Sequence, residues 1–180
     1  ATRAAPWNTH PMKIMFLGDV MGRAGRTAII ERLAKLREDW KLDFVVVNGE
    51  NASNGAGLTS THAKALLDAG ADVLTLGDHA FDQKDMMQYC ETEPRIIRPL
   101  NHSKAAPCKG SRVFEATRGR KVLVALVLGQ VFRKRAFDDP FSAVDATLRA
   151  HPMGGTVNAS LNDIPCEATS ENNATGHSCE

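Results

Sequence analysis

Three short apolar runs, each followed by a glycine-containing polar segment, constrain the fold of this chain more than any other feature. The runs are KIMFL (13–17), DFVVV (43–47) and DVLTL (72–76). The second run is β-branched with no polar alternation, which is typical of a strand covered on both faces. Apolar residues at helical spacing predict helices over 27–40 and 60–69 between the runs. This alternation of strands and helices with short connections predicts an α/β fold with a parallel sheet and right-handed crossovers.

Further elements are predicted in the second half of the chain. The segments RVFEA (112–116) and KVLVALVL (121–128) predict two more strands, joined by the turn-like TRGR. Pro140 is typical of the first turn of a helix. Segment 156–163 alternates apolar and polar residues, which favours an edge strand or a strand with one wet face.

Length and local composition predict the domain organisation. The 180 residues are 43% hydrophobic, enough for one domain with a sizeable core. Residues 1–11 contain two prolines, no acidic residue and no apolar signal region, so we expect a disordered tail. Residues 12–180 are predicted to form a single domain, in which the polar segment 166–180 is expected to be weakly ordered.

The overall composition argues against several classes of partner. Lys and Arg (22) nearly balance Asp and Glu (21), so no broad nucleic-acid surface is expected. The longest apolar stretch, 122–128, is far shorter than the roughly 20 residues that cross a bilayer. The four cysteines are widely spaced without a Cys-x-x-Cys pair, which argues against a zinc knuckle and favours reduced thiols. We therefore expect a cytoplasmic protein with no membrane partner.

Polar residues follow each of the first three predicted strands. Asp19 follows the first strand, Glu50 and Asn51 follow the second, and Asp78 and His79 follow the third. Because the carboxyl ends of parallel strands meet at one edge of a sheet, these side chains are expected to converge. Carboxylate, amide and imidazole groups suit Mn, Fe, Mg or Zn, and a cation would offset the repulsion between the carboxylates. The sequence therefore predicts a metal site at this edge.

Each segment also has a simpler interpretation when taken alone. Gly-Asp after a strand is usually a turn, and Asn-Gly is also a hairpin signal. The glycines of GDVMGRAGR (18–26) do not match a nucleotide-binding pattern. Arg23 and Arg26 could still contact a phosphate near the start of the first helix. The metal hypothesis depends on the same kind of ending recurring on three consecutive strands.

Several segments, in order along the chain, match a known family. They are MKIMFLGDVMGRAGR, DFVVVNGENASNGAGLT, AGADVLTLGDHAFD, RIIRPLN, GQVF, DDPFSAVD and CEATSE. From Met12 to about Glu171 the sequence resembles the YmdB-like branch of the calcineurin-type metallophosphoesterases. The resemblance implies a layered α/β/β/α sandwich, incomplete at its C-terminal end, in which metal-bound hydroxide hydrolyses phosphodiesters such as 2′,3′-cyclic nucleotides.

The resemblance also implies a role for each candidate residue. Asp19 would ligate the first of two divalent metal ions, Glu50 would bridge both ions, and Asn51 would be a further ligand. Asp78 occupies the position of a ligand in the family, and His79 would be the general acid near the leaving group. The implied partner is a small phosphodiester or cyclic nucleotide.

The sequence departs from the family pattern at three places. Asp78 replaces an asparagine, Pro165 replaces a metal-binding histidine, and the family continues past residue 180 with a Gly-Thr-His-Thr-His segment. Two hypotheses remain open: a phosphodiesterase, with reduced activity or completed by a partner chain, and a family-derived binding or structural protein without catalysis. An incomplete sandwich would expose an apolar face, so we also expect a homo-oligomer.

Overall fold

The computed structural model describes residues 11–131 and 137–165, together with residue 173. The expected tail (1–11) and weakly ordered end (166–180) lie outside the described residues, apart from 11 and 173. The strands are β1 (Ile14–Leu17), β2 (Phe44–Asn48), β3 (Val73–Thr75), β4 (Ile96–Ile97), β5 (Ser111–Glu115), β6 (Lys121–Leu126) and β7 (Ala159–Asp163). The α-helices are α1 (Gly22–Trp40), α2 (Ser60–Asp68), α3 (Lys84–Thr92) and α4 (Pro140–Ala150).

The described strands form two sheets. The first is parallel, with the order β1-β2-β3-β4. The second has the order β5-β6-β7, in which β5 and β6 are antiparallel and β6 and β7 are parallel. The predicted turn TRGR joins β5 to β6 and contains a short 3₁₀ segment, Thr117–Gly119. The parallel sheet predicted from the first three apolar runs is confirmed.

The two faces of β2 explain why its sequence shows no polar alternation. Val45 and Val47 pack into a core cluster shared with α2, whereas Phe44 and Val46 pack into a second cluster shared with β6. Successive strand residues point to opposite faces, so helices cover one face and the second sheet covers the other. The first sheet is therefore an inner layer.

Helix α4 connects the two parallel strands β6 and β7. Such a connection must cross one face of its sheet. Because the first sheet already covers the inner face, α4 belongs to the outer face, and its Val144 is buried. The order of layers is helices, sheet, sheet and helix, as the resemblance implies.

Two boundaries and two elements differ from the prediction. Helix α1 begins at Gly22 and not at residue 27, because the loop after β2 holds its first turns: the Gly22 N–H donates to the Asn51 carbonyl at 3.0 Å. Helix α3 and the two-residue strand β4 were not predicted. Helix α3 has only nine residues and buries only Met86 and Cys90, so few apolar positions mark it in the sequence. The edge strand predicted over 156–163 is confirmed as β7, with a later start.

The expectation of reduced thiols is wrong for one pair of cysteines. Cys90 of α3 and Cys108 of the loop before β5 form a disulfide, with 5.5 Å between their Cα atoms. They are 18 residues apart, and only the packing of α3 against this loop brings them together. No helix within the described ranges combines the length and the hydropathy needed to span a membrane.

Candidate functional site

The loops that follow β1, β2 and β3 meet at the carboxyl edge of the first sheet. The Val20 N–H donates to the Asn48 carbonyl at 3.2 Å, which joins the first loop to the end of β2. The Gly49 N–H donates to the Thr75 carbonyl at 2.9 Å, which joins the second loop to β3. The predicted convergence of the three loops is therefore confirmed.

Two predicted site residues connect the first loop to the second. Asn51 Nδ2 donates to Asp19 Oδ1 at 2.9 Å. Asp19 is exposed and Asn51 is half-buried. Because a carboxylate can only accept, this bond directs the amide nitrogen of Asn51 toward Asp19 and its oxygen elsewhere.

Glu50 connects the second loop to the third. Its Oε1 accepts from the Asp78 N–H at 2.6 Å, and its own N–H donates to Asn48 Oδ1 at 3.0 Å. Gly77 lies directly against the Glu50 carboxylate, so that a Cβ at position 77 would overlap its Cδ and both oxygens. The glycine is therefore required here for close approach, and the carboxylate lies in a cradle formed by the backbone of the third loop.

His79 lies next to Asp78 and is paired with a carboxylate of the same loop. Its Nδ1 is 2.5 Å from Asp82 Oδ2, and 43% of its side chain is exposed. Since a carboxylate only accepts, the bond requires a proton on Nδ1 and leaves Nε2 for proton exchange. His79 is thus accessible and has a fixed ring orientation.

A buried polar cluster lies beneath the Glu50 loop. Asp163 Oδ2 accepts from Asn48 Nδ2 at 2.9 Å and from Thr75 Oγ1 at 2.7 Å. Burial raises the pKa of the Asp163 carboxyl, and the two hydrogen bonds only partly oppose this shift. The cluster joins the carboxyl ends of β2 and β3 to the end of β7.

The second loop is also held from the side of α2. Ser53 Oγ lies 2.9 Å from His62 Nδ1 and accepts from the Thr59 N–H at 3.1 Å. Thr59 caps α2 by accepting from the His62 N–H at 3.2 Å. Burial lowers the pKa of His62, and nearby Arg26 adds to this effect. A lowered pKa favours the uncharged ring, which suits a structural contact.

Sequence reasoning missed Asp82, Asn48, Thr75 and Asp163. Asp82 lies three residues after His79, a spacing that allows contact within one turn. Asn48 and Thr75 are polar residues at the ends of buried strands, and Asp163 ends an alternating strand. A polar residue at the end of a buried strand needs a hydrogen-bond partner, and its presence in the sequence is the signal that could have drawn attention to these residues. The sequence does not identify the partner.

The side chains at this edge of the sheet are of the kinds that bind a hard divalent cation. Carboxylates from Asp19, Glu50 and Asp78 and an amide oxygen from Asn51 lie on three loops that contact one another. However, across 11–131 and 137–165 no group of three His, Cys, Asp or Glu side chains is spaced to hold a metal ion. The residues therefore match a metal in kind, without surrounding one point.

Comparisons with known proteins agree with the fold and with the matched motifs. The model of the family described as "YmdB-like protein" matches residues 15–180. A Bacillus subtilis (strain 168) protein named 2′,3′-cyclic-nucleotide 2′-phosphodiesterase is 36% identical over 165 residues, which are 92% of this chain and 61% of that protein.

Two solved structures are also similar. A hypothetical protein from Thermus thermophilus has a TM-score of 0.83 and 36% identity, over 93% of this chain and 63% of the other. A novel phosphatase from Mycoplasma pneumoniae has a TM-score of 0.81 and 30% identity, over 93% of this chain and 59% of the other. The chain thus spans about three fifths of the length of these proteins.

Proposed function

The chain belongs to the YmdB-like protein family, and on this premise we propose that it hydrolyses phosphodiesters with the help of a divalent metal ion. The observation that carries the proposal is the continuous contact of the candidate residues at one edge of the sheet. Asn51 contacts Asp19, and Glu50 contacts the Asp78 backbone, next to His79. The Bacillus subtilis relative is named for 2′,3′-cyclic nucleotides, which supports this substrate class.

The proposed metal ligands are Asp19, Glu50, Asn51 and Asp78. Their oxygens are the ligands that Mg²⁺ and Mn²⁺ prefer, and Fe or Zn would accept the same groups. A bound cation would offset the charge of the phosphoryl oxygens. The close packing of Gly77 around Glu50 would keep one ligand in place before any ion binds.

His79 is the proposed general acid. In hydrolysis, the oxygen of a water molecule bonds to phosphorus while the bond from phosphorus to the leaving oxygen breaks. The water releases one proton to the solvent, and the leaving oxygen takes one from the acid, which then regains a proton from the solvent. The protonated ring would keep its Nδ1–H on Asp82 and give the Nε2 proton to this oxygen. Asp82 would hold the orientation of the ring through this contact.

The test compares the full chain with two carboxylate variants. The metal-depleted protein is titrated with Mn²⁺ by calorimetry and then assayed with bis-p-nitrophenyl phosphate and a 2′,3′-cyclic nucleotide. We expect Glu50→Gln to lower Mn²⁺ affinity and kcat by about tenfold to a hundredfold or more. Glu31→Gln, which removes an exposed carboxylate on α1, is the matched control and should match the wild type. Wild-type turnover no higher than a metal-only blank would contradict the proposal.

A second candidate function is favoured by one observation. The described residues contain no cluster of three acidic or imidazole side chains around one point, which suits a family-derived binding or structural protein. Failure to bind Mn²⁺, together with absence of turnover, would favour this alternative. Two equivalents of metal per chain would argue against it.

We also propose that the protein self-associates through the outer edge of the first sheet. Strand β1 lies at that edge, and its Phe16 is 41% exposed. Met21, at the start of α1, is 54% exposed. An exposed apolar edge strand favours pairing with a second copy. Light scattering tests this, and a monodisperse monomer would contradict it.

A further inference from the structure

The carboxylate of Asp163 joins the two sheets directly beneath the loop that carries Glu50. Asp163 ends β7 in the second sheet, whereas its partners Asn48 and Thr75 end β2 and β3 in the first. Their exposed fractions are 9%, 6% and 0%, respectively. A buried carboxylate needs such donors, and both of them act on the same oxygen, Oδ2.

The amide of Asn48 also forms a hydrogen bond with Glu50. Its Nδ2 donates to Asp163 Oδ2 at 2.9 Å, and its Oδ1 accepts from the Glu50 N–H at 3.0 Å. The two ends of one side chain therefore contact both residues. Asn48 lies between the carboxylate of Asp163 and the backbone of Glu50.

The chemistry of these groups permits only one orientation of the Asn48 amide. A carboxylate offers acceptors alone, so the amide nitrogen must face Asp163, and the amide oxygen must then face the Glu50 N–H. The flipped amide would place oxygen against oxygen and NH₂ against N–H. Both contacts would be lost, in a place where buried polar groups are costly to leave without partners.

The orientation of Asn48 bears on the candidate site itself. The Glu50 backbone that Asn48 holds carries the carboxylate that accepts from the Asp78 N–H at 2.6 Å. The contacts thus run from Asp163 through Asn48 to Glu50 and on to the third loop. The first and last of these hydrogen bonds join residues far apart in sequence, with separations of 115 and 28.

We propose that Asp163 is a positioning residue, which fixes the Asn48 amide and through it holds Glu50 in place for phosphodiester hydrolysis. The part of this inference that concerns hydrolysis rests on the proposed function above. The part that concerns Glu50 can be measured without any turnover. The competing interpretation is that Asp163 only holds the two sheets together.

Thr75 separates these two interpretations. It donates to the same oxygen of Asp163 and also joins the two sheets, but its hydroxyl is bonded to Asp163 and not to Glu50. Thr75→Val is nearly isosteric and removes one hydrogen bond between the sheets. Asp163→Ala removes that bond together with the contact to Asn48. The difference between the two variants therefore measures the effect of the contact between Asp163 and Asn48.

A second pair of variants tests the orientation argument without truncating a side chain. Asn48→Asp places a carboxylate against Asp163, and the two acceptors repel. Combining it with Asp163→Asn restores a donor and an acceptor between the two positions and returns the net charge to that of the wild type. The new carboxylate at position 48 can still accept from the Glu50 N–H. These variants keep the inference testable if Asp163→Ala does not fold.

The experiment measures amide hydrogen exchange of Glu50 by NMR, together with kcat and KM for bis-p-nitrophenyl phosphate in Mn²⁺. In Asp163→Ala and Asn48→Asp we expect Glu50 exchange about three- to tenfold faster, and kcat lower by about tenfold to a hundredfold with little change in KM. Thr75→Val should keep Glu50 exchange and kcat near the wild-type values. The double variant that combines Asn48→Asp with Asp163→Asn should recover most of the lost protection and most of the lost kcat.

Two results would overturn the inference. The first is Asp163→Ala and Thr75→Val changing exchange and kcat equally, which is the result expected for a tie between sheets. The second is Asn48→Asp remaining unimproved when Asp163→Asn is added. If the wild type itself shows no turnover, the proposed function fails, and Glu50 exchange alone then decides the positioning role: protection selectively lost in Asp163→Ala supports it, and unchanged protection overturns it.

Discussion

Replacing Gly77 by alanine tests the geometry of the candidate site with the smallest change available. The backbone at position 77 lies against the Glu50 carboxylate, and an added Cβ would overlap three of its atoms. Gly77 is not in the left-handed region, so the substitution brings no backbone strain of its own. The Glu50 side chain must therefore move and lose its 2.6 Å hydrogen bond from the Asp78 N–H.

The expected loss of stability follows from that movement. A hydrogen bond to a charged group contributes about 1.5–3 kcal/mol, and overpacking costs about 1–3 kcal/mol. The two effects overlap, because moving Glu50 relieves the overlap while breaking the bond. We therefore expect Gly77→Ala to lower the free energy of unfolding by about 2–3 kcal/mol.

The assay is urea unfolding at pH 7, with a control variant and a double-mutant cycle. Gly155→Ala adds a Cβ whose nearest neighbours, in Pro152, lie at an ordinary 3.4 Å, so its effect should be within about 0.5 kcal/mol of zero. When Glu50 is already replaced by alanine, the overlapping carboxylate is gone. The loss of unfolding free energy caused by Gly77→Ala should then be smaller by at least about 1 kcal/mol than the loss in the wild type. Gly77→Ala should also lower Mn²⁺ affinity.

Two outcomes would refute this reasoning. One is a Gly77→Ala variant as stable as Gly155→Ala, which would mean that Glu50 does not occupy the space beside position 77. The other is an unfolding free energy that falls by the same amount with and without Glu50, which would place the clash elsewhere.

Three further predictions concern charge, proton transfer and a buried amide. Although burial raises the pKa of Asp43, hydrogen bonds from the Lys13 N–H, Thr117 and Arg120 and the Arg120 charge lower it from 3.8 to about 2. A carboxyl whose pKa is lower in the folded than in the unfolded protein stabilises the fold at pH values above its unfolded pKa. Asp43 should therefore add at most about 2 kcal/mol to the free energy of unfolding above about pH 4, and this stabilisation is lost as the pH falls through 2. In urea, wild type and Asp43→Asn should differ at pH 7 and converge near pH 2, and a pH-independent difference would contradict this. His79→Ala should lower kcat by about a hundredfold or more without shifting the urea midpoint. Asp82→Asn, which disturbs only the orientation of the ring, should lower kcat less. Equal turnover in the wild type and both variants would exclude His79 as the acid. The Asn101 side chain is fully buried and forms hydrogen bonds with the N–H and the carbonyl of Leu128 and with the carbonyl of Asp138. Asn101→Ala should therefore lower the free energy of unfolding, measured in urea, by at least about 2 kcal/mol. A decrease below about 0.5 kcal/mol would refute the stabilising role of Asn101.

Local patterns carried much of the fold. The β-branched run of β2 predicted a strand buried on both faces, and its side chains do enter two different clusters. The apolar spacing before Gly70 predicted α2, with a difference of one residue at its end. These elements are predictable because each depends on residues adjacent in sequence.

The same patterns located the candidate site but not its connections. Parallel strands bring their carboxyl ends together, so the positions of Asp19, Glu50 and His79 near one edge followed from topology. The partner of each side chain did not follow. The contact of Glu50 with the Asp78 N–H depends on how two loops fold over each other, which neither loop encodes alone.

The sequence by itself determined the alternation of strands and helices and the edge where the acidic residues collect, because periodicity and turn residues act over a few positions. Only the tertiary structure decided the early start of α1, the Cys90–Cys108 disulfide and the place of Asp163 beneath Glu50. The Asp163 contact joins residues 115 positions apart. Such contacts arise when two sheets pack, and packing satisfies buried polar groups with partners that no local pattern specifies.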